Sequence, residues 1–125
     1  MKETWKLFGT YVLILFLILV CGNAFSQDRF CKEDICVVEF NAGWNESNSC
    51  DWLDELEDCG ITRISIDQNK ITQSQQENYG IVVVPTIIVF NGKEVKRFQA
   101  DLSFKMLATK EEVQEVINEI IMSDF

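Results

Sequence analysis

Residues 80-GIVVVPTIIVFNGKEV-95 contain the only proline of the chain, Pro85, between two apolar runs. The second run, 86-TIIVF-90, leads into Asn91-Gly92 and then into 93-KEVKRFQA-100. Asn-Gly between two β-type runs is a strong hairpin signal, because both central residues of a type I′ turn have positive φ. The stretch therefore predicts an antiparallel hairpin directly after a proline turn.

Three further elements are predicted upstream of this stretch. The β-rich apolar run 36-CVVEFNA-42 predicts a buried central strand, and the alternating segment 61-ITRISID-67 predicts a second strand. Between them, apolar residues at helical spacing predict a helix from about Ser47 to Cys59, with Gly60 as its C-terminal stop. Residues 70–80 are polar and end in glycine, which indicates a short helix.

A capping box begins the last predicted element. In 109-TKEE-112 the Thr109 hydroxyl can accept the Glu112 amide, and a helix over about residues 110–122 follows with one apolar face. The predicted order is β-α-β-α-β-β-α. Helical crossovers join parallel strands and tight turns join antiparallel ones. The prediction is therefore one α/β domain whose mixed central β-sheet is flanked by helices.

The N-terminus predicts an export signal. Two lysines within the first six residues precede an apolar run over residues 7–21, which is short of the about 20 residues that a membrane-spanning helix needs. Small residues in 24-AFS-26 predict cleavage after Ser26, which leaves a domain of residues 27–125. Export to the bacterial periplasm or cell envelope is expected. Two alternatives stay open: an uncleaved anchor, which would be the only membrane contact, and lipid attachment at Cys21.

Charge and composition exclude several classes of partner. The chain has 11 Lys+Arg and 20 Asp+Glu, and removal of Lys2, Glu3 and Lys6 with the signal leaves 9 against 19. Such an acidic domain repels nucleic acid and anionic lipid, so neither is expected as a partner. The chain has no histidine, which excludes imidazole metal ligands and His-activated nucleophiles. We expect no cofactor and no metal.

Four cysteines follow the signal, and export favours pairing among them. Cys31 and Cys36 flank the start of the first strand, so a structural disulfide between them or from either to Cys59 is the prediction. Sequence alone leaves the three full pairings open. Their spacings do not fit a zinc knuckle. Cys50 is the fourth cysteine.

Three stretches resemble thioredoxin and occur in the same order. They are 37-VVEFNAGW-44, 66-IDQN-69 and 80-GIVVVPTIIVFNGKEV-95, and the resemblance covers roughly residues 36–122. It implies a thioredoxin-like fold with Glu39 at the position of the family's buried acid. It also implies a cis peptide at Val84-Pro85, beside the loop that carries the family's active site.

The sequence departs from the family at that loop. Thioredoxins have W-C-x-x-C, whereas this chain reads 44-WNESN-48, so the resemblance places Asn45 and Asn48 where the two thiols would be. Disulfide exchange needs a thiolate and a resolving thiol, and carboxamides supply neither. We therefore predict a redox-inactive module that binds a polypeptide partner in the groove of the loop and proline turn. Its predicted binding residues are Trp44, Asn45, Asn48, Val84 and Pro85.

One alternative is an atypical thiol-disulfide oxidoreductase that acts through Cys50, with Cys59 or a partner's thiol as the resolving group. Cys50 falls near the start of the predicted helix, where free amides and the helix dipole stabilise a thiolate. The competing interpretation is an inert buried cysteine. Glu39, inside an apolar strand, must be hydrogen-bonded or protonated, and Asn45 or Asn48 could donate to it. The acceptor pattern for N-glycosylation at Asn45 is discounted.

Overall fold

Four strands form one mixed sheet in the computed structural model, which describes residues 30–124. The strands are β1 (Ile35–Asn41), β2 (Gly60–Ser65), β3 (Thr86–Asn91) and β4 (Glu94–Gln99), in the spatial order β2-β1-β3-β4. The α-helices are α1 (Lys70–Asn78) and α2 (Lys110–Ser123). The predicted signal segment lies outside the described residues. Within residues 30–124, no helix has the length and hydropathy of a membrane span.

The pairing of the strands confirms the mixed sheet. β1 runs parallel to β2 and antiparallel to β3, and β3 is antiparallel to β4. Both central strands, β1 and β3, are almost continuously apolar because both faces of the sheet are covered. Successive side chains of a strand point to opposite faces, so Val37 and Ile87 pack with α2, whereas Val38 and Ile88 pack on the side of Tyr79.

The hairpin between β3 and β4 is present, but its turn differs from the prediction. Only Gly92 has positive φ, at 78°, whereas Asn91 ends β3 in an extended conformation, so the turn is not type I′. The register shifts between Val89 and Phe90, and the Asn91 amide donates to the Lys93 carbonyl at 2.9 Å. This irregularity lengthens the loop, so that one left-handed glycine is sufficient.

Helix α2 follows the prediction closely. Thr109 Oγ1 accepts a hydrogen bond from the Glu112 amide at 3.3 Å, although the Glu112 carboxylate lies 3.4 Å from the Thr109 hydroxyl instead of reaching back to the backbone. Its buried face consists of Val113, Val116, Ile117 and Ile120, and Ile121 is half-buried. The helix therefore covers the face of the sheet that carries Val37 and Ile87.

The predicted helix from Ser47 to Cys59 is wrong. Two short 3-10 helices, Gly43–Asn48 and Asp51–Glu55, stand in its place, and Ser49 and Cys50 between them are extended. The Glu39 carboxylate accepts the Cys50 amide and the Ser49 hydroxyl, each at 2.7 Å. These bonds fix the backbone at the two residues in an extended conformation, and Ser and Asn side chains compete with helical hydrogen bonds in any case.

Gly60 is the first residue of β2, opposite Cys36, and not a helix stop. A Cβ at this position would lie 2.9 Å from the Cys31 Cβ and would collide with the Glu33 carboxylate. Glycine therefore makes room for the Cys31–Cys36 disulfide, whose Cα atoms are 5.7 Å apart. Cys50 and Cys59 are free thiols that pack on the opposite face of the sheet.

Candidate functional site

Asn45 lies at the centre of the loop that follows β1 and is 3% exposed. Its Nδ2 atom lies within hydrogen-bond distance of three oxygens: Asn41 Oδ1 at 3.1 Å, the Phe104 carbonyl at 3.1 Å and the Val84 carbonyl at 3.4 Å. Its Oδ1 atom accepts from Asn48 Nδ2 at 2.7 Å. A single carboxamide therefore joins the loop to β1, to the proline turn and to the segment after β4.

The proline turn forms the wall next to this amide. The Val84-Pro85 peptide bond is cis, and Val84 is buried with Pro85. The Thr86 hydroxyl donates to the Val83 carbonyl at 2.6 Å, which closes the turn. The Val84 carbonyl already accepts a hydrogen bond from Asn45 Nδ2, but a carbonyl oxygen has two lone pairs and can accept a second donor. The structure thus brings together the predicted loop and the predicted turn.

Trp44 is the exposed member of the predicted binding residues. Its side chain is 64% exposed, and its ring lies 5.0 Å from the Phe104 ring at an interplanar angle of 88°, an edge-to-face arrangement. Phe104 was not among the residues predicted from sequence. It belongs to a connection that has no helical or strand periodicity, so no local pattern pointed to it.

A second polar network lies beneath the loop and contains Glu39, which is 1% exposed. Arg63 Nη1 donates to Glu39 Oε1 at 2.9 Å, and Arg63 Nη2 donates to the Cys50 carbonyl at 3.0 Å and to Asp54 Oδ2 at 3.1 Å. The prediction that Asn45 or Asn48 donates to Glu39 is wrong. Its donors are Arg63, the Ser49 hydroxyl and the Cys50 amide. Glu39 is therefore fully paired and holds the loop to β2.

Sequence reasoning missed Arg63, although a signal exists. In the parallel register of β1 and β2, Arg63 stands opposite Glu39. A buried acid is expected to pair with a base that stands opposite it on the neighbouring strand, but this prediction can be made only once that register is known. Asp67 was also missed: it accepts the Gly43 amide at 3.0 and 3.1 Å and the Ser65 hydroxyl at 2.7 Å. These hydrogen bonds, from Ser65 first and then from Gly43, lower the pKa of Asp67.

The Cys50 thiol is not activated by its surroundings. Cys50 is 4% exposed, and burial, together with the nearby negative charge of Glu39, raises the pKa of its thiol to about 12. Cys50 precedes a five-residue 3-10 helix and its amide is bonded to Glu39, so the helix-head stabilisation expected from sequence is absent at this residue. Burial and Asp58 raise the pKa of Cys59 to about 11. At pH 7 the Cys50 thiolate fraction is on the order of 10⁻⁵.

Two other kinds of site find no support in this region. The Asn45 side chain is buried and bonded, so it does not present a free amide for glycosylation. Among residues 30–124, no group of three or more Cys, Asp or Glu side chains is placed to hold a metal ion. The arrangement offers instead an exposed tryptophan, a buried proline wall and a loop held by amide and carboxylate hydrogen bonds.

No protein-family model matches the sequence, and no curated protein sequence matches it. Solved structures do match the fold. A thioredoxin variant from Halobacterium salinarum is 22% identical with a TM-score of 0.52, over 70% of this chain and 74% of that one. The Schistosoma mansoni thioredoxin pre-protein is 22% identical with a TM-score of 0.53, over 70% of this chain and 80% of that one.

A thioredoxin from Plasmodium falciparum is 17% identical with a TM-score of 0.52, over 70% of this chain and 83% of that one. At such identities the likeness shows the fold alone, and it agrees with the mixed sheet flanked by helices described above. The protein is an α/β domain with a thioredoxin-like fold.

Proposed function

We propose that this protein is a redox-inactive thioredoxin-like module that binds a polypeptide partner at Trp44, Asn45, Asn48, Val84 and Pro85. The observation that carries the proposal is the buried amide of Asn45. It occupies the position where the resemblance to thioredoxin expects the first thiol, and it bonds to Asn41, Val84, Phe104 and Asn48. A group that joins four residues in this way serves to hold a surface together.

The geometry supports binding over catalysis for a physical reason. Exchange begins with a thiolate attacking a disulfide sulfur, and the mixed disulfide is then resolved by a second thiol. Asn45 and Asn48 have no sulfur, and the nearest thiol in sequence, Cys50, is buried and protonated at neutral pH. Binding needs none of these groups. It needs an accessible apolar surface, which the exposed Trp44 ring provides, beside the proline turn, where the Val84 carbonyl accepts from Asn45 and has a second lone pair.

Export belongs to the same proposal. The predicted signal segment and the Cys31–Cys36 disulfide both suit an oxidising compartment such as the bacterial periplasm or cell envelope. The partner would then be an exported polypeptide. Its binding would be non-covalent and reversible, because no mixed disulfide forms.

Trp44→Ala tests this function. The probe is a reduced and carboxymethylated unfolded protein, which has extended segments and no reactive sulfur. We expect Trp44→Ala to weaken binding about tenfold, because an exposed tryptophan at the centre of a binding surface is typically a dominant contact. Met122→Ala is the matched control, since Met122 is a 73% exposed apolar residue on α2. Equal binding by the parent protein and Trp44→Ala would refute the proposal.

A thiol-disulfide oxidoreductase is the second candidate, and the disulfide favours it. Cys31 is half-buried, so one sulfur of the Cys31–Cys36 pair is within reach of an external dithiol. Reduction of insulin by the protein in the presence of a dithiol would support this candidate. Loss of that activity in Cys50→Ser would assign it to Cys50, and loss in Cys31→Ser would assign it to the disulfide. The binding function expects no insulin reduction above the dithiol alone.

A further inference from the structure

Phe104 adopts a backbone conformation that aromatic residues rarely have. Its φ is 63°, in the left-handed region, where the Cβ of a bulky residue crowds its own backbone. Glycine or asparagine is the usual residue in this conformation. A strained residue persists only where its neighbours fix it, and such residues occur mainly at functional sites. Phe104 therefore calls for a reason beyond folding.

The neighbours that fix Phe104 are visible. Asp101 Oδ1 accepts the Ser103 amide at 2.8 Å, the Ser103 hydroxyl at 2.5 Å and the Lys105 amide at 3.3 Å. The Phe104 amide donates to the Asp101 carbonyl at 3.1 Å. From the other side, Asn45 Nδ2 donates to the Phe104 carbonyl at 3.1 Å. The turn is thus held from both sides, and it places the Phe104 ring against Trp44.

Most of the exposed large apolar side chains belong to the segments next to this contact. In the part of the chain that the structure describes, eight large apolar residues are exposed. Five of them belong to the three segments that Asn45 joins: the loop after β1, the proline turn and the connection after β4. They are Trp44, Val82, Leu102, Phe104 and Leu107. Clustered exposure of this kind marks an interaction surface more often than scattered exposure does.

The charges in and next to the same segments are mostly negative. Glu46, Asp67 and Asp101 are acidic, Lys105 is basic, and the whole chain has a net charge of −9. Hydrogen bonds from Ser103 lower the pKa of Asp101, and those from Ser65 lower that of Asp67, so both are ionised at neutral pH. A partner with basic residues next to its apolar ones complements this surface, whereas an acidic partner is repelled.

We propose that Phe104 and Trp44 together form an aromatic binding surface for an extended polypeptide segment that carries apolar side chains next to Lys or Arg. This inference rests on the proposed binding function and names its ligand class. Phe104 contacts the bound segment in this inference. Its left-handed backbone is retained because it places the ring against Trp44. Stability and binding then make opposite demands on this residue.

Two variants at Phe104 test that opposition. Phe104→Gly and Phe104→Asn keep positive φ without strain and remove the ring. We expect urea unfolding midpoints equal to or above that of the parent protein, together with about tenfold weaker binding of a cationic apolar peptide. Met122→Ala, as before, is the control for loss of an exposed apolar side chain. Parent-like affinity in both Phe104 variants would overturn the proposed role of the Phe104 ring in binding.

Three synthetic peptides test the ligand class. They share one extended apolar pattern and carry Lys, Ser or Glu at the intervening positions. We expect the Lys peptide to bind at least about threefold more tightly than the Ser peptide and the Glu peptide to bind most weakly, with differences that shrink in 0.5 M salt. Equal Trp44-dependent affinities would overturn the inference and leave the proposed function intact.

Two further outcomes separate the hypotheses. If none of the peptides binds in a Trp44-dependent way, the proposed function fails together with the inference. If anionic lipid vesicles bind through Trp44 and Phe104 while the peptides do not, the surface is a membrane contact and the inference is wrong. Trp44 fluorescence measures binding by the parent protein and the Phe104 variants, and titration calorimetry measures it for Trp44→Ala, which lacks that fluorophore.

Discussion

Strand β1 begins at a disulfide and ends at a cluster of carboxamides. At its start, Cys36 is bonded to Cys31, and at its end, Asn45 Nδ2 donates to Asn41 Oδ1 while Asn41 Nδ2 donates to the Asn45 carbonyl. Both arrangements fix a loop to the same strand. The first uses a covalent bond and the second uses amide donors and acceptors, so the end of the sheet that presents Trp44 has no sulfur exposed for exchange.

The comparison teaches that holding a loop and reacting in it are separable tasks. In the proposed module, the Cys31–Cys36 disulfide stabilises the end of β1 that does not bind the partner. Asn45 and the Glu39–Arg63 pair stabilise the end that does bind it. Three measurements test this division between the two ends of β1, and the first concerns Glu39.

Glu39→Ala is expected to have the largest effect, a loss of about 3 kcal/mol of unfolding free energy. The change removes one acceptor of Arg63, which keeps its bonds to Asp54 and to the Cys50 carbonyl, and it removes the carboxylate that accepts the Ser49 hydroxyl and the buried Cys50 amide. Urea unfolding at pH 7 measures it. Glu39→Gln, which still accepts hydrogen bonds, should cost about half as much. A loss of less than about 1 kcal/mol in Glu39→Ala would show that the loop is held by other contacts.

Removal of the disulfide by Cys31→Ser with Cys36→Ser should cost about 2 kcal/mol, because the bond closes a loop of only five residues in sequence separation. Peptide affinity at the other end of β1 should stay within about twofold of the parent value. The same unfolding and fluorescence titrations apply, with Cys59→Ser as the control for a thiol outside the disulfide. A large loss of affinity would show that the two ends are coupled.

The smallest effect is a pH dependence from the free Cys50 thiol. Its pKa is about 12 in the folded protein against an ordinary value of 9.0, so its contribution to stability is complete below about pH 9. Above pH 9 the unfolded chain loses this proton first, so between pH 8 and pH 10 stability falls by about 1.4 kcal/mol. Cys50→Ala should show a shallower decline over pH 8 to 10. Parallel profiles would mean that the thiol titrates normally.

How far the sequence predicts the molecule depends on how local the signals are. The strand around Val38, the hairpin at Gly92 and the helix capped by Thr109 each have short-range patterns, and all three are present. The helix expected after the loop was wrong because a partner distant in sequence decides its conformation. The Cys50 amide donates to Glu39, and Arg63 donates to the Cys50 carbonyl, so neither backbone group is available for a helical hydrogen bond. This competition can be predicted only when the pairing of the strands is known.

The site shows the same limit. Trp44, Asn45 and Pro85 could be placed through the resemblance to thioredoxin, since their motifs are contiguous in sequence. Phe104 could not, because an aromatic residue with positive φ runs against local preference, and only its neighbours keep it there. Site residues whose backbone conformation opposes their own propensity can therefore be identified only from the structure.

Gly60 brings the covalent bridge close to one side of the sheet, while both free thiols pack on the other side. Burial and acidic neighbours raise the pKa values of both free thiols, so at neutral pH few thiolates exist that could attack the bridge. Exchange of the disulfide partner within one molecule is therefore slowed by the surroundings of the two thiols.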